Sequence, residues 1–162
     1  MVNRTTAPGK DVAMTDLNDV AELATANGHL AVVATVRGDC TVQASLVNAG
    51  VSAHPVTGRR VLSFVAIGGG AKLANLRARR SVTVTFHRGW QWITVEGTAE
   101  LAGPDDAALG LSEDQLRTLL RTIFTDAGGT HDDWPTYDET MARERRTAVL
   151  INPTRIYSNP GG

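Results

Sequence analysis

The sequence predicts a mainly β domain of the α+β class, and three observations carry this prediction. Valine-rich apolar runs recur along the chain, most of them with the period-two alternation of half-buried strands. Short glycine-containing turns separate several of these runs, as expected for antiparallel neighbours. Helical patterns do not alternate with the strands one for one, which argues against a doubly wound parallel fold.

Length and composition restrict the class of protein further. The 162 residues, 42% of them hydrophobic, are enough for one domain with its own core. A net charge of −1 argues against a nucleic-acid or anionic-membrane partner. The single cysteine, Cys40, excludes an intramolecular disulfide and a cysteine-rich zinc site. There is no apolar run of about 20 residues and no signal-peptide pattern, so we expect a cytoplasmic protein.

One domain is predicted over residues 15–158. Residues 1–14 are polar and are expected to form a flexible leader, and residues 159–162 a short tail. No internal repeat or low-complexity segment divides the domain.

A first helix and a β-hairpin are predicted to open the domain. Thr15 or Asp16 can cap the helix, which ends near Gly28. The β-branched run Leu30–Val36 then predicts a buried strand, and a turn joins it to a second strand over Thr41–Asn48.

The second predicted strand has one polar and one apolar face. Gln43 and Ser45 alternate with Val42, Ala44 and Leu46. The polar face either meets solvent or lines a pocket, and the pattern alone leaves both possibilities open.

A third strand, Val61–Ala66, leads into the stretch that most indicates a binding site. Three consecutive glycines follow, and a basic helix is predicted over Ala71–Arg80. A glycine turn before a helix leaves backbone N–H groups free to bind a phosphate or a carboxylate. Lys72, Asn75 and Arg79 lie at i, i+3 and i+7 and therefore share one helix face. The pattern predicts a small-molecule anion site.

Two further strands are predicted over Val82–His87 and Trp90–Ala102. Alternation places Trp90 and Trp92 on the more polar face of the second of these strands. Large aromatic side chains on such a face indicate a subunit interface or a ligand platform. Packing beneath another part of the same chain is the remaining explanation.

The C-terminal third is predicted to hold helices and a closing strand. Gly103–Asp106 is expected to open a short helical segment, and Ser112 starts a capping box before an amphipathic helix. A further helix begins near Trp134. The apolar run Thr147–Ile151 predicts a strand, which Pro153–Tyr157 is expected to continue at a sheet edge.

Side-chain catalysis has little support in the sequence. There is no phosphate-loop, dinucleotide or nucleophile-elbow motif, and the histidines lack the spacing of a metal site. His131-Asp132-Asp133 is interpreted as a turn and helix cap rather than a set of metal ligands. A bound cofactor would therefore carry any reactivity. The catalytic residues stay unidentified, with Ser45, His87 and water as possible proton donors.

Several stretches, taken in order, resemble a known family. They are LAVVATVRGD and QASLV in the first hairpin, AKLANLR at the basic helix, WITVEGTAEL in the long strand and HDDWPTYDETMARERRTAVLINPTRIY near the C-terminus. Their order and spacing resemble the flavin/deazaflavin-dependent oxidoreductases of the pyridoxamine-5′-phosphate-oxidase-like split β-barrel superfamily. The likeness covers most of residues 16–158 and is greatest to the actinobacterial B group, which uses the deazaflavin coenzyme F-420.

This resemblance implies a six- or seven-stranded antiparallel split β-barrel with flanking helices, paired as a homodimer with the cofactor in a groove between subunits. It also implies a coenzyme F-420-dependent oxidoreductase that transfers hydride to a small conjugated substrate such as a quinone, enone or tetrapyrrole. An FMN-dependent oxidase or reductase of the same fold is one alternative. A non-catalytic dimer that binds or sequesters the cofactor is the other.

The family's binding residues can be carried over onto the matching positions. Lys72, Asn75 and Arg77 match its K-x-x-N-L-R motif, which implies that Lys72 and Asn75 lie near the phosphate-bearing tail of the cofactor. Gln43 and Ser45 match positions that face the tricyclic ring.

Two more features follow from the same resemblance. Trp90 and Trp92 correspond to positions where the partner subunit approaches the groove. Gly70 stands in the cofactor-binding stretch where members commonly have an arginine or lysine. Arg79, on the helix face of Lys72, is the predicted substitute for that cation.

Overall fold

A computed structural model describes residues 15–159, so the predicted leader and residues 160–162 of the predicted tail lie outside the described residues. The strands are β1 (Leu30–Val36), β2 (Val42–Ala53), β3 (Arg60–Ala66), β4 (Ser81–Arg88), β5 (Gln91–Ala102) and β6 (Thr147–Ser158). They are antiparallel and close into a barrel in the order β1-β2-β3-β6-β5-β4. The helices are α1 (Leu17–Ala26), α2 (Ala71–Ala78), α3 (Glu113–Asp126) and α4 (Trp134–Arg143). The predicted α+β barrel with flanking helices is confirmed.

One face of each strand fills the barrel. Val33, Phe64 and Val95 are fully buried on different strands, as the alternation of a pleated strand requires. β1 and β3 run in the same direction, because β2 is antiparallel to both. α1 lies before the start of β1 and α2 follows the end of β3, so the two helices lie at opposite ends of the barrel. Both add leucines to its apolar core. No helix within residues 15–159 combines the length and apolar character needed to cross a membrane.

α3 packs against the outside of β3 and β6 through Ile123 and its neighbours. The close approach at its C-terminal end depends on Gly50 of β2, because a Cβ there would overlap the carbonyl oxygen of Asp126. The Ser52 hydroxyl donates a hydrogen bond of 2.6 Å to Oδ2 of Asp126. Ser63 lies 2.7 Å from Ser52 and extends this polar contact into the sheet.

The segment Gly103–Asp106 was predicted to open a helix, and that prediction is wrong. Gly103 and Asp106 form an antiparallel bridge in which each N–H donates to the other residue's carbonyl oxygen. Asp105 and Asp106 are drawn out of a helical path because each forms an ion pair with an arginine distant in sequence, Arg145 and Arg77 respectively.

The closing strand follows its prediction. β6 runs through Pro153 without a break and pairs with β5 along its length, but with β3 only over Thr147–Ile151. Within the described residues, Pro153–Tyr157 therefore has a neighbouring strand on one side only, as predicted for a sheet edge. Pro153 has no N–H to contribute to a ladder. A register shift between Glu96 and Gly97 of β5, directly opposite the proline, accommodates it.

The first half of β2 turns polar side chains inward and apolar side chains outward, whereas Val47, Ala49 and Val51 further along the inward face join the core. Gln43 and Ser45 are half-buried, whereas Val42 and Leu46 are 60% and 68% exposed. Leu46 lies beside Val32 of β1, which is itself exposed. The result is an exposed apolar face on β1 and β2, while Gln43 and Ser45 lie on the inward face of β2.

Candidate functional site

The glycine turn between β3 and α2 leaves the start of α2 open. Gly68 is pressed against the connection between α4 and β6, where a Cβ would lie 2.6 Å from the carbonyl oxygen of Arg145. Gly70 is the N-cap residue of α2 and, lacking a side chain, makes no capping hydrogen bond. The N–H groups of the first turn of α2 therefore have no side-chain cap, and they carry the partial positive charge of a helix N-terminus.

Lys72 adds a full positive charge to this first turn. Its side chain is half-buried, and Nζ lies 5.6 Å from the centroid of the Phe64 ring. Within residues 15–159 Lys72 forms no ion pair. Burial lowers the pKa of its ammonium group. A half-buried ammonium without a counter-ion is unfavourable, and an anionic ligand would relieve that cost.

Asn75 and Gln43, predicted at the two ends of the bound cofactor, meet in one hydrogen-bond network. Asn75 Nδ2 donates to Thr35 Oγ1 at 3.1 Å and to Gln43 Oε1 at 3.4 Å. The Thr35 hydroxyl in turn donates to Gln43 Oε1 at 3.3 Å. Because Gln43 Oε1 accepts both bonds, the amide donors of Gln43 and the carbonyl oxygen of Asn75 stay available to a ligand.

Ser45 lies two residues from Gln43 on the same inward face of β2. Its hydroxyl oxygen is buried and has no hydrogen-bond partner in the described part of the chain. An unpaired buried hydroxyl costs free energy comparable to a lost hydrogen bond. Ser45 is therefore a free hydrogen-bonding group beside the Thr35 network.

The predicted arginines lie further from this centre. Arg77 forms a two-pronged ion pair with Asp106, with Nε–Oδ1 and Nη2–Oδ2 distances of 2.9 and 2.7 Å. α2 ends at Ala78, so the predicted helix to Arg80 is two residues too long. Arg79 is the C-cap residue and its guanidinium lies over the β1–β2 turn, 3.6 Å from where a Cβ of Gly38 would stand. It does not share a helix face with Lys72.

The two tryptophans have different surroundings. Trp90 lies in the turn before β5 and is 92% exposed, so its predicted place on the strand is wrong. Trp92 is half-buried on β5 and packs edge-to-face on Tyr157 of β6, with ring centroids 6.0 Å apart. Asn159 hydrogen-bonds the backbone of both tryptophans and holds the turn. His87, on β4, is exposed and faces Trp92 across the strands.

Two cavities lie beside α4. One, of about 600 Å³, is lined by Lys72, His29, Leu46 and Val65, and extends between β2, β3 and the C-terminal end of α3. The other, of about 630 Å³, lies between the loop at 103–112, α3 and α4. The first cavity places room for a small molecule directly next to Lys72.

Thr35 is the residue of this site that the sequence analysis missed. It is 1% exposed, yet its hydroxyl joins two of the predicted side chains. The available signal was a single hydroxyl residue in the otherwise apolar inward face of the run LAVVATV. A polar group on a buried strand needs a partner, and that partner identifies the neighbouring element.

Comparisons with known proteins address the fold. No family model matches the sequence. A conserved hypothetical protein from Mycobacterium tuberculosis superposes with a TM-score of 0.65 at 16% identity, over 92% of this chain and 87% of that one. An F420 reductase superposes with a TM-score of 0.55 at 18% identity, over 81% of this chain and 90% of that one. A pyridoxamine 5′-phosphate oxidase-related, FMN-binding protein from Nostoc punctiforme has a TM-score of 0.58 at 11% identity. That superposition covers 96% of this chain and 86% of the other.

These similarities agree with the closed six-stranded barrel and its four flanking helices. At such low identities they concern the fold and not the site. The chain has the split β-barrel fold that the pyridoxamine 5′-phosphate oxidase-like, FMN-binding proteins share with F420 reductase.

Proposed function

We propose that the protein is an oxidoreductase that binds the deazaflavin coenzyme F-420 or, as the alternative, FMN, with the cofactor's phosphate at the first turn of α2. The observation that carries the proposal is Lys72, a half-buried ammonium without a counter-ion among residues 15–159, in the same turn as uncapped backbone N–H groups. A phosphate there would gain both the charge and the helix dipole. The shared fold of an F420 reductase and an FMN-binding protein supports a flavin-type cofactor.

Polar side chains on the inward face of β2 and on α2 fit such a group. The unpartnered Ser45 hydroxyl, the amide donors of Gln43 and the carbonyl oxygen of Asn75 can bond the polar edge of a conjugated ring. Thr35 fixes the orientation of both amides. When bound, the reduced cofactor would supply a hydride. The protein would orient the substrate, exclude water and support the negative charge that develops on it.

Arg79 favours the deazaflavin, whose tail carries carboxylates beyond its phosphate. It lies seven residues after Lys72, about 10 Å further along α2 at 1.5 Å per residue. It is exposed over the β1–β2 turn, so it can contact a distant carboxylate. It does not lie where it could replace a cation at Gly70. Arg77 is already paired with Asp106, which reduces the positive charge it can offer to the cofactor.

A homodimer belongs to the same proposal. The exposed face of β1 and β2 presents Val32, Val42 and Leu46, and Leu46 also forms part of the wall of the cavity beside α4. Flat apolar patches of this kind mark protein–protein contacts. A second copy on this face would cover the outer side of the strand whose inner side carries Ser45.

Leu46→Arg tests the dimer by light scattering. The change places a charge in the proposed interface, so the scattering mass should fall from two chains to one. Val56→Arg, equally exposed but in the β2–β3 turn, is the matched control and should leave the mass unchanged. A monomeric unmodified protein, or an unchanged mass for Leu46→Arg, would contradict the proposed interface.

The cofactor is tested by titrating purified protein with oxidised coenzyme F-420 and with FMN while following fluorescence. Lys72→Met keeps the apolar stem over Phe64 and removes the charge, so the binding free energy should weaken by about 1.5–3 kcal/mol, the range for a hydrogen bond to a charged group. Arg143→Ala, on exposed α4, controls for a general loss of positive charge. Failure of the unmodified protein to bind either compound at micromolar concentrations would end the proposal.

Gly70→Arg adds the cation that relatives commonly have. A Cβ at Gly70 meets only ordinary contacts, 3.4 Å to the Ile67 carbonyl oxygen, so the substitution should fold. It should tighten binding of the cofactor that Lys72 contacts. An unchanged affinity would place the phosphate elsewhere.

A further inference from the structure

α2 is too short to hold its own position. It has eight residues, two of which, Leu73 and Leu76, are buried, and its N-cap Gly70 makes no side-chain hydrogen bond. A helix of this length is marginal in water by itself, so contacts from outside the helix must fix where its first turn lies. That turn carries Lys72 and the uncapped N–H groups of the proposed phosphate site.

The glycine turn before α2 is held by the connection between α4 and β6. The Gly68 N–H donates a hydrogen bond of 3.0 Å to the Glu144 carbonyl oxygen, and Gly68 also lies against the carbonyl oxygen of Arg145. Arg145 has a φ of 48°, in the left-handed region that a side chain adopts only at a cost in free energy. Such a conformation persists where the surrounding structure holds it in place.

The turn Gly103–Asp106 holds the other end of α2 and also holds Arg145. Arg77, in the last turn of α2, forms its two-pronged ion pair with Asp106, whose side chain is only 12% exposed. The preceding residue, Asp105, pairs with Arg145 in the same two-pronged way, with an Nε–Oδ2 distance of 3.0 Å. Two adjacent carboxylates on one turn therefore bind two arginines from different parts of the chain.

This turn is itself anchored to the barrel. A Cβ at Gly103 would overlap the side chain of Thr147, the first residue of β6, which is fully buried. Asp106 then reaches the C-terminal end of α2 directly, and Asp105 reaches the glycine turn at its N-terminal end through Arg145. The contacts form a closed frame around α2, with the barrel as its fixed side.

We propose that Asp105 and Asp106 are positioning residues for the anion site at the start of α2, and that Arg77 affects a bound anion by holding the helix rather than by contact. Where the anion is the phosphate of the cofactor, this inference rests on the proposed function. Positioning and plain electrostatics predict opposite signs. A carboxylate near a bound anion repels it, so its removal should tighten binding if charge alone mattered, whereas the loss of a positioning group should weaken binding.

Asp105→Asn and Asp106→Asn are tested by titration with FMN and with oxidised coenzyme F-420. Each substitution should weaken the binding of whichever compound the unmodified protein binds, roughly two- to fivefold, as expected for a partly exposed ion pair. Glu139→Gln, an exposed acid on α4, controls for the loss of one negative charge and should leave the affinity unchanged. Unchanged or tighter binding in both aspartate variants would overturn the proposal.

Adding Arg77→Met to Asp106→Asn separates positioning from direct contact. If Arg77 acts through Asp106, the double variant should bind the compound as Asp106→Asn does alone, because the pair is already broken. An arginine that contacts the anion would instead be released by Asp106→Asn. A further loss of affinity in the double variant would therefore contradict the role assigned to Arg77.

Amide hydrogen exchange of the ligand-free protein distinguishes failure of this inference from failure of the proposed function. The Ala74 amide bonds the Gly70 carbonyl oxygen at 3.2 Å and reports on the first turn of α2. It should exchange roughly two- to fivefold faster in Asp105→Asn and Asp106→Asn, while amides of α1 keep their rates. Equal rates at Ala74 would overturn the positioning role whether or not a coenzyme binds. Faster exchange in a protein that binds neither compound would remove the proposed function and leave the frame around α2.

Discussion

Replacing Thr35 with valine should disturb the candidate site at its centre. Valine keeps the branched shape and strand preference of threonine and removes only the hydroxyl. Two hydrogen bonds are lost, at 3.1 Å from Asn75 and at 3.3 Å to Gln43, while the 3.4 Å bond between those two amides remains. With about 1 kcal/mol for each neutral bond, the free energy of unfolding should fall by about 1–2 kcal/mol.

Urea unfolding measures this cost, and Thr98→Val is the matched control because Thr98 is exposed on β5. The midpoint of Thr35→Val should fall with an unchanged slope, since the surface exposed on unfolding stays the same. Cofactor affinity should fall as well, because the side chains of Asn75 and Gln43 are no longer held in one orientation. A loss of about 1.4 kcal/mol in binding free energy would lower the affinity roughly tenfold. The affinity of Thr98→Val should not change.

Two results would refute this reasoning. Equal urea midpoints for Thr35→Val and Thr98→Val would show that the hydroxyl contributes nothing to the barrel end. A destabilised Thr35→Val that binds cofactor normally would show that Asn75 and Gln43 do not contact the cofactor.

Three further outcomes are expected. Gly50→Ala should lower the free energy of unfolding by about 1–3 kcal/mol or more, because its Cβ overlaps Asp126, whereas Gly70→Ala should be near neutral; equal urea midpoints would contradict this packing. Burial raises the pKa of Tyr137 from 10.0 to about 12, so this phenol contributes its full stabilisation below pH 10. The free energy of unfolding should then fall between pH 10 and 12, where the phenol ionises in the unfolded chain but not in the folded one. The urea midpoint of Tyr137→Phe should not show this fall. Because burial lowers the pKa of Lys72, cofactor affinity should decline with rising pH before an exposed lysine titrates, and an affinity that stays constant up to pH 10 would contradict that.

The parts of the fold that could be predicted from sequence are those fixed by neighbours in the chain. Asp16 caps α1 and Ser112 caps α3, each with its capping box complete, and Asp133 caps α4 as the His131-Asp132-Asp133 pattern indicated. Such caps depend on side chains two or three residues from the N–H groups they bind. Strand periodicity is equally local, which is why the barrel strands were found.

The parts that could not be predicted depend on distant partners. Asp105 and Asp106 look like a helix start, but Arg145 and Arg77 hold them in a bridge. Arg77 matched a binding motif, and only the fold shows that Asp106 already neutralises it. Thr35 could not be recognised as a site residue from the sequence, because its two partners lie on another strand and on α2.

β2 shows why a general rule about burial could not decide between solvent and pocket for Gln43 and Ser45. In an antiparallel sheet the apolar face usually meets the core, and that rule would have turned Gln43 and Ser45 to solvent. The first half of the strand is instead inverted, with Leu46 outside and the Ser45 hydroxyl inside. Both faces are then left incomplete, since the inner one has a hydroxyl without a partner and the outer one has exposed apolar side chains. A ligand inside and a second copy outside would complete them, and this common need is what joins the proposed cofactor and the proposed dimer.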